Sequence, residues 1–255
     1  MTAKKLAAAA TLVVLALLLT PLLYSVWISF SPGELLVPPG RQWSLRWYEA
    51  LFSRPEWTAS LVQSAKVGAM AVVLACAGGT SAAVGMARLR WGGRLLERAV
   101  MLPLFCPAVV LAMGLLPLVH QLGLYGSSLG IAMGHALWSL PVVVLVVRRA
   151  LDGVDPELQR AARGLGAGPM RTFVWVTLPI VAPAVAAGAL MAFVLSLNEF
   201  EIALFLATPE IATLPKVIWP NLRYTLTPLV AAASSIVLLV TTLGLAGFAF
   251  FWRRR

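Results

Sequence analysis

The chain has 255 residues, 60% of them hydrophobic and only 12% charged, where an ordinary soluble domain is about a quarter charged. Ten acids and twenty bases are too few to cover a water-facing surface of this size, so a soluble enzyme of ordinary type is excluded and lipid-facing surface is required. The net charge of +10 is no nucleic-acid footprint either, because the bases lie in short clusters between long apolar runs.

A helix needs about 20 mostly apolar residues to cross the hydrocarbon of a bilayer. Six stretches meet that length, at residues 6–29, 60–87, 99–119, 129–147, 179–206 and 229–251. The first follows Lys4 and Lys5 as a secretory leader would. Its apolar run is too long for one and no small-x-small site closes it, so it reads as a retained first span. The expected fold is an all-α integral membrane protein with a single domain over residues 1–255.

Basic residues bias their loops toward the cytoplasm. Lys4 and Lys5, Arg88, Arg90, Arg94 and Arg98, Arg148, Arg149, Arg160, Arg163 and Arg171, and Arg253 to Arg255 place fourteen bases on one side. Arg41, Arg46, Arg54, Lys66, Lys216 and Arg223 place six on the other, so both termini are expected inside. Tryptophans favour the interface, and Trp27, Trp57 and Trp219 fall near outer ends while Trp91, Trp175 and Trp252 fall near inner ones. Prolines at 103, 107, 117, 141 and 183, with the small-residue run Gly78 to Ala83, permit kinks and close helix approach in a compact bundle. Cys76 and Cys106 lie in apolar runs and read as packing residues.

The connection between the fourth and fifth stretches, residues 152–178, is the most informative part of the chain. Asp155 is a good N-cap, Pro156 suits the first helical position and Glu157 complements the positive end of the dipole, so a short helix begins there and ends at Gly164 or Gly166. A second start at Gly168-Pro169 leads into the fifth span. Within this loop stand Ala161-Ala162, three residues, Gly166, nine residues, then Val176-Thr177-Leu178-Pro179. That spacing resembles the EAA loop of permease subunits in bacterial ATP-binding-cassette importers, written EAA, three residues, G, nine residues, I-x-L-P. The resemblance implies a coupling helix that docks on a cytoplasmic ATPase through Glu157, Arg160, Ala161, Ala162, Gly166, Val176, Leu178 and Pro179. Arg160 stands where the motif has glutamate, and Val176 replaces isoleucine.

The resemblance extends to Ser44 to Phe52, Gly134 to Pro141 and Thr213 to Tyr224, which look like the second permease subunit of spermidine/putrescine importers. Permeases for opines, aminoethylphosphonate and ferric iron share parts of these patterns. Such a likeness implies an inner-membrane, multi-pass subunit forming half of the pathway for a small, amine-bearing solute. Its partners would be a second, different permease chain, two copies of the ATPase that use ATP and Mg, and an extracytoplasmic binding protein, with no cofactor on this chain and no nucleic acid.

Ionisable groups inside a span face a cavity, a partner or a pathway. Asn198, Glu199 and Glu201 interrupt the fifth span and are the candidate pathway or gate residues. On a continuous helix Glu199 and Glu201 would sit about 200° apart and could not share one line of sight, and Glu199 is the favoured member of the pair. His120 and His135 stand without a paired nucleophile or carboxylate at a useful spacing and read as hydrogen-bonded bundle residues. An intramembrane enzyme using His135 and a nearby serine would need a nucleophile within reach, and an ion-coupled transporter would need internal repeats. Phosphate-binding and zinc-protease motifs are absent from the sequence, so the energy for transport is expected from another subunit.

Overall fold

The computed structural model describes residues 2–89 and 92–253, and every regular element among them is helical. Arg90, Trp91, Arg254 and Arg255, which enter the orientation argument, lie outside the described residues, as do the side chains of Arg88, Arg94, Trp252 and Arg253. The elements in chain order are α1 (Thr2–Ile28), α2 (Arg46–Ser53), α3 (Pro55–Arg88), α4 (Gly93–Phe105), α5 (Ala108–Gln121) and α6 (Ser128–Asp152). Then come α7 (Pro156–Gly164), α8 (Pro169–Thr172), a π-helical turn (Phe173–Thr177), α9 (Leu178–Asn198), α10 (Glu201–Leu206), α11 (Leu214–Tyr224) and α12 (Pro228–Arg253).

Five helical runs are long and apolar enough to cross a membrane, and α4 with α5 makes a sixth if the bent pair counts as one span. The third stretch is therefore not the straight helix that its composition predicts: it bends by 102° between Phe105 and Ala108. Pro107 causes the break. It has no N–H to continue α4, and its ψ of 133° turns the chain out of helical geometry. The fifth stretch also stops short of its expected end at Leu206, because α9 ends at Asn198 and Glu199 adopts an extended ψ of 121°.

Two compact units divide the chain, residues 1–59 with 217–242 and residues 60–216 with 243–255. In the first, the segment after α1 folds onto α2 through polar contacts: the Tyr48 hydroxyl lies 2.7 Å from Ser29 Oγ, the Arg46 guanidinium donates to the Pro32 carbonyl at 2.7 Å, and Trp47 Nε1 donates to Gly33 at 3.2 Å. Trp57, near the start of α3, is fully buried. The apolar window of α1, by contrast, has no buried residue, which leaves its whole circumference for lipid or a partner chain.

The second unit holds the apolar core, built from Val67, Ala71 and Ala75 of α3, Ile131, Val143 and Val147 of α6, Ala192 of α9 and Ile202 and Leu206 of α10. Small residues make it tight. A Cβ at Gly79 would lie 2.9 Å from the Val143 side chain, so the Gly78 to Ala83 run does serve close approach of α3 to α6. Lys66, which the sequence groups with the outer bases, is an exposed residue within α3.

Candidate functional site

The loop between α6 and α9 folds as its local chemistry dictates. Asp155 caps α7, its Oδ1 accepting the Glu157 N–H at 2.9 Å, and Pro156 occupies the first turn where a missing N–H costs nothing. The helix ends at Gly164. Gly166, with φ of +83°, then donates to the Arg163 carbonyl at 2.9 Å while Ala167 donates to the Ala162 carbonyl at 3.0 Å. These two bonds are a Schellman closure, which satisfies the last carbonyls of the helix and favours glycine at the left-handed position.

α7 meets α8 and the π-helical turn, yet none of its own residues is buried. Leu158 and Leu165 are exposed, Leu165 to 90%, and Ala161 is exposed on the same helix, giving an apolar face with no partner among the described residues. The Arg160 guanidinium turns back to the Glu157 carboxylate at 2.8 Å, so the residue replacing the motif glutamate is held by an acid one turn earlier. Val176 and Leu178 are half-buried and Pro179 exposed. A cavity of about 410 Å³, lined by Ser81, Val84, Gly85, Pro169, Met170 and Phe173, lies beside α8.

The π-helical turn joins this loop to α9. Proline at 179 cannot donate to the carbonyl four residues back, and the Leu178 N–H reaches the Phe173 carbonyl five residues back instead. Thr172, at the loop side of this turn, is buried and its hydroxyl donates to the Gly168 carbonyl at 3.1 Å.

At the other end of α9 the polar residues of the span sort themselves among neighbouring helices. Asn198 is exposed and donates to the Val194 carbonyl at 2.8 Å. Glu199 is buried, with 6% of its surface exposed, and its carboxylate accepts the N–H groups of Ile202 at 2.8 Å and Ala203 at 3.1 Å, the first free donors of α10. Glu201 reaches a different helix: its Oε2 accepts the Val109 N–H at 3.1 Å, at the start of α5, where Pro107 has no side chain able to cap. Each glutamate thus neutralises a helix N-terminus, and the two do so on opposite neighbours.

His135 of α6 completes the cluster. Its Nδ1 lies 2.7 Å from Ser196 Oγ in the last turn of α9, and its Nε2 lies 3.1 Å from Glu199 Oε2, a close polar approach that is off the line of a full hydrogen bond. The imidazole thus turns one nitrogen to the Ser196 hydroxyl and the other to the Glu199 carboxyl group. Gly134 admits α10 beside it, since a Cβ there would come within 2.4 Å of the Ile202 side chain.

The C-terminal end of α10 is held as well: the Lys216 ammonium donates to the Ala207 carbonyl, and the Gly126 N–H to the Leu206 carbonyl at 3.2 Å. Burial pushes the Lys216 amine below its usual 10.5, opposed by the nearby Glu210 carboxylate. The grouping of His135, Ser196 and Lys216 with Glu199 around α10 is not evident from spacing along the chain, because His135 and Ser196 alone are 61 positions apart. The other histidine, His120, stacks on Tyr125 at 4.1 Å. Among the described residues no group of three His, Cys, Asp or Glu side chains is placed to hold a metal.

Residues 75–255 match the family of binding-protein-dependent transport system inner membrane components. The chain is 31% identical over 239 residues to the putrescine transport system permease protein PotI of Escherichia coli (strain K12), covering 91% of this chain and 84% of that protein. It is 27% identical to the spermidine/putrescine permease PotC of Haemophilus influenzae over 90% of this chain and 89% of the other. Over a shorter stretch, 59% of this chain and 71% of the relative, it is 36% identical to the molybdenum transport system permease ModB of Escherichia coli (strain K12). The fold matches a bacterial alginate ABC transporter crystallised with its alginate pentasaccharide-bound periplasmic protein, with a TM-score of 0.76 at 14% identity over 97% of this chain and 93% of the other. Permeases of this kind work with a partner permease, an ATPase and a binding protein. These likenesses identify the chain as a member of the binding-protein-dependent inner-membrane permease family, a subunit of an ATP-binding-cassette importer rather than an enzyme.

Proposed function

We propose that this chain forms half of the translocation pathway for a small amine-bearing solute of the polyamine class. The observation that carries the reading is the likeness to the putrescine permease PotI, which runs through 91% of the chain and includes both α7 and the break at Asn198. In this reading the second half is a different permease chain, and two copies of a cytoplasmic ATPase bind ATP and Mg. A binding protein delivers the solute from the opposite side.

The apolar face of α7 and the residues Glu157, Arg160, Ala161, Ala162 and Gly166 form the contact with the ATPase, while Val176, Leu178 and Pro179 pass its movement into α9. The exposure of α7 supports this role. Asn198 faces the pathway, and Glu199 and Glu201 act in its gate. Their engagement by backbone N–H groups favours gating over direct contact with a cation. A second reading, import of a small oxyanion, draws on the 36% identity to ModB over 164 residues.

The test is ATP-dependent uptake in proteoliposomes holding the whole complex and its binding protein, with radiolabelled putrescine, spermidine and molybdate offered in parallel. Uptake of the amines alone is expected. Uptake of molybdate alone would replace the first reading with the second, and uptake of neither amine nor molybdate would remove both.

A further inference from the structure

We propose that His135 is the positioning residue of a gate built on α10: it ties both sides of the break in the fifth span to α6, so that α10 moves with α6 as one body. The inference rests on the importer reading above. Its basis is a chain of buried contacts that crosses the break. Ser196 belongs to α9, Glu199 to the turn after it, and both meet the same imidazole, on Nδ1 at 2.7 Å and Nε2 at 3.1 Å. The Glu199 carboxylate then holds the first N–H groups of α10 at 2.8 and 3.1 Å.

All three side chains are withdrawn from solvent, with 1%, 4% and 6% exposure at His135, Ser196 and Glu199. Turning the backbone at Glu199 and Phe200 alone would pull the carboxylate from the imidazole or from α10, leaving buried polar groups without partners. A movement that keeps these contacts carries α6, the end of α9 and α10 together. Gly134 fits the same account, because only glycine allows Ile202 to lie so close to α6. The carboxylate is already occupied, so the device governs whether the pathway is shut, and solute preference is set elsewhere.

Two measurements on the reconstituted complex test this. In a background with Cys76 and Cys106 replaced by serine, a cysteine placed by Ile202→Cys is buried against α6 and is expected to react slowly with a water-soluble maleimide. Adding His135→Ala should speed the reaction roughly tenfold, as loss of the buried polar contacts to Ser196 and Glu199 loosens α10, and His135→Gln, which restores a polar group toward Glu199, should return part of the protection. In transport, His135→Ala should lower uptake and raise ATP hydrolysis in the absence of loaded binding protein, with the ratio of uptake between competing solutes unchanged. Ser196→Ala, a milder change that keeps the fold, should move both readouts the same way by less.

Unchanged labelling in both His135→Ala and Ser196→Ala, or a glutamine no better than alanine, would overturn the positioning role. So would a shift in solute preference, which would put the cluster in contact with solute. Labelling requires no transport, so a wild-type complex without ATP-driven uptake would end the importer reading and still leave this inference decided by the maleimide rates.

Discussion

At Gly166 one backbone angle carries much of the proposed coupling. Its φ of +83° closes α7, and a Cβ built there would meet nothing within 4 Å, so any cost of substitution within this chain is conformational rather than steric. Gly166→Val should strain the turn by about 1–2 kcal/mol, whereas Gly166→Asn, which tolerates the left-handed region, should keep most of the closure. The expected outcome is normal recovery of both variants in the membrane fraction, with co-purification of the ATPase lost for valine and largely retained for asparagine. Equal loss for both would mean that the partner itself needs the empty space. Arg160 matters less to the chain alone: it and Glu157 are each 67% exposed, and an exposed pair of this kind contributes under about 1 kcal/mol. Gly166, Asp155 and Pro156 are legible in the sequence because caps and turns are local. The role of His135 is not, because its partners lie on α9 and in the turn after it, and spacing along the chain says nothing about which helix faces which.

Among the elements, the π-helical turn is the joint between the loop and α9. Pro179→Ala would supply the missing N–H and allow the ordinary i to i−4 bond to the Trp175 carbonyl, drawing Phe173–Thr177 toward regular α-helix and rotating α8 relative to α9. The expected result is assembly at wild-type levels with fewer solute molecules moved per ATP, read from parallel uptake and hydrolysis assays on one preparation. An unchanged ratio would mean that the joint is passive. Helix existence is readable at this scale and helix continuity is not. Hydropathy registers apolar composition equally in a straight span and in one folded back on itself, so the third stretch reads as one helix although Pro107 bends it by 102°. Glu199 and Glu201 mark the fifth stretch as unusual, but a period count assumes the unbroken helix that their own capping interactions replace.

Across the whole chain the clustering of bases predicts that both termini and α7 face the cytoplasm, with residues 30–54 opposite. Single cysteines placed by Glu34→Cys and Leu165→Cys, both at exposed positions, should be labelled by an impermeant maleimide from opposite sides of the membrane, the second only in inverted vesicles. Labelling of both from one side would overturn this expected topology.

The caps borrowed between helices also constrain how such a chain can be made. The acceptor for the Val109 N–H is Glu201, 92 residues further on, and the acceptor for the Leu214 N–H is Ser64, 150 residues back. In hydrocarbon an unpaired N–H costs several kcal/mol. The first turn of α5 therefore lacks its native acceptor until the ribosome has added α10, and the Ala207 carbonyl just past α10 in turn waits for Lys216. Insertion can proceed span by span, but the interior settles only near the end of synthesis, so a chain cut short before residue 216 would leave open helix ends for quality control to find.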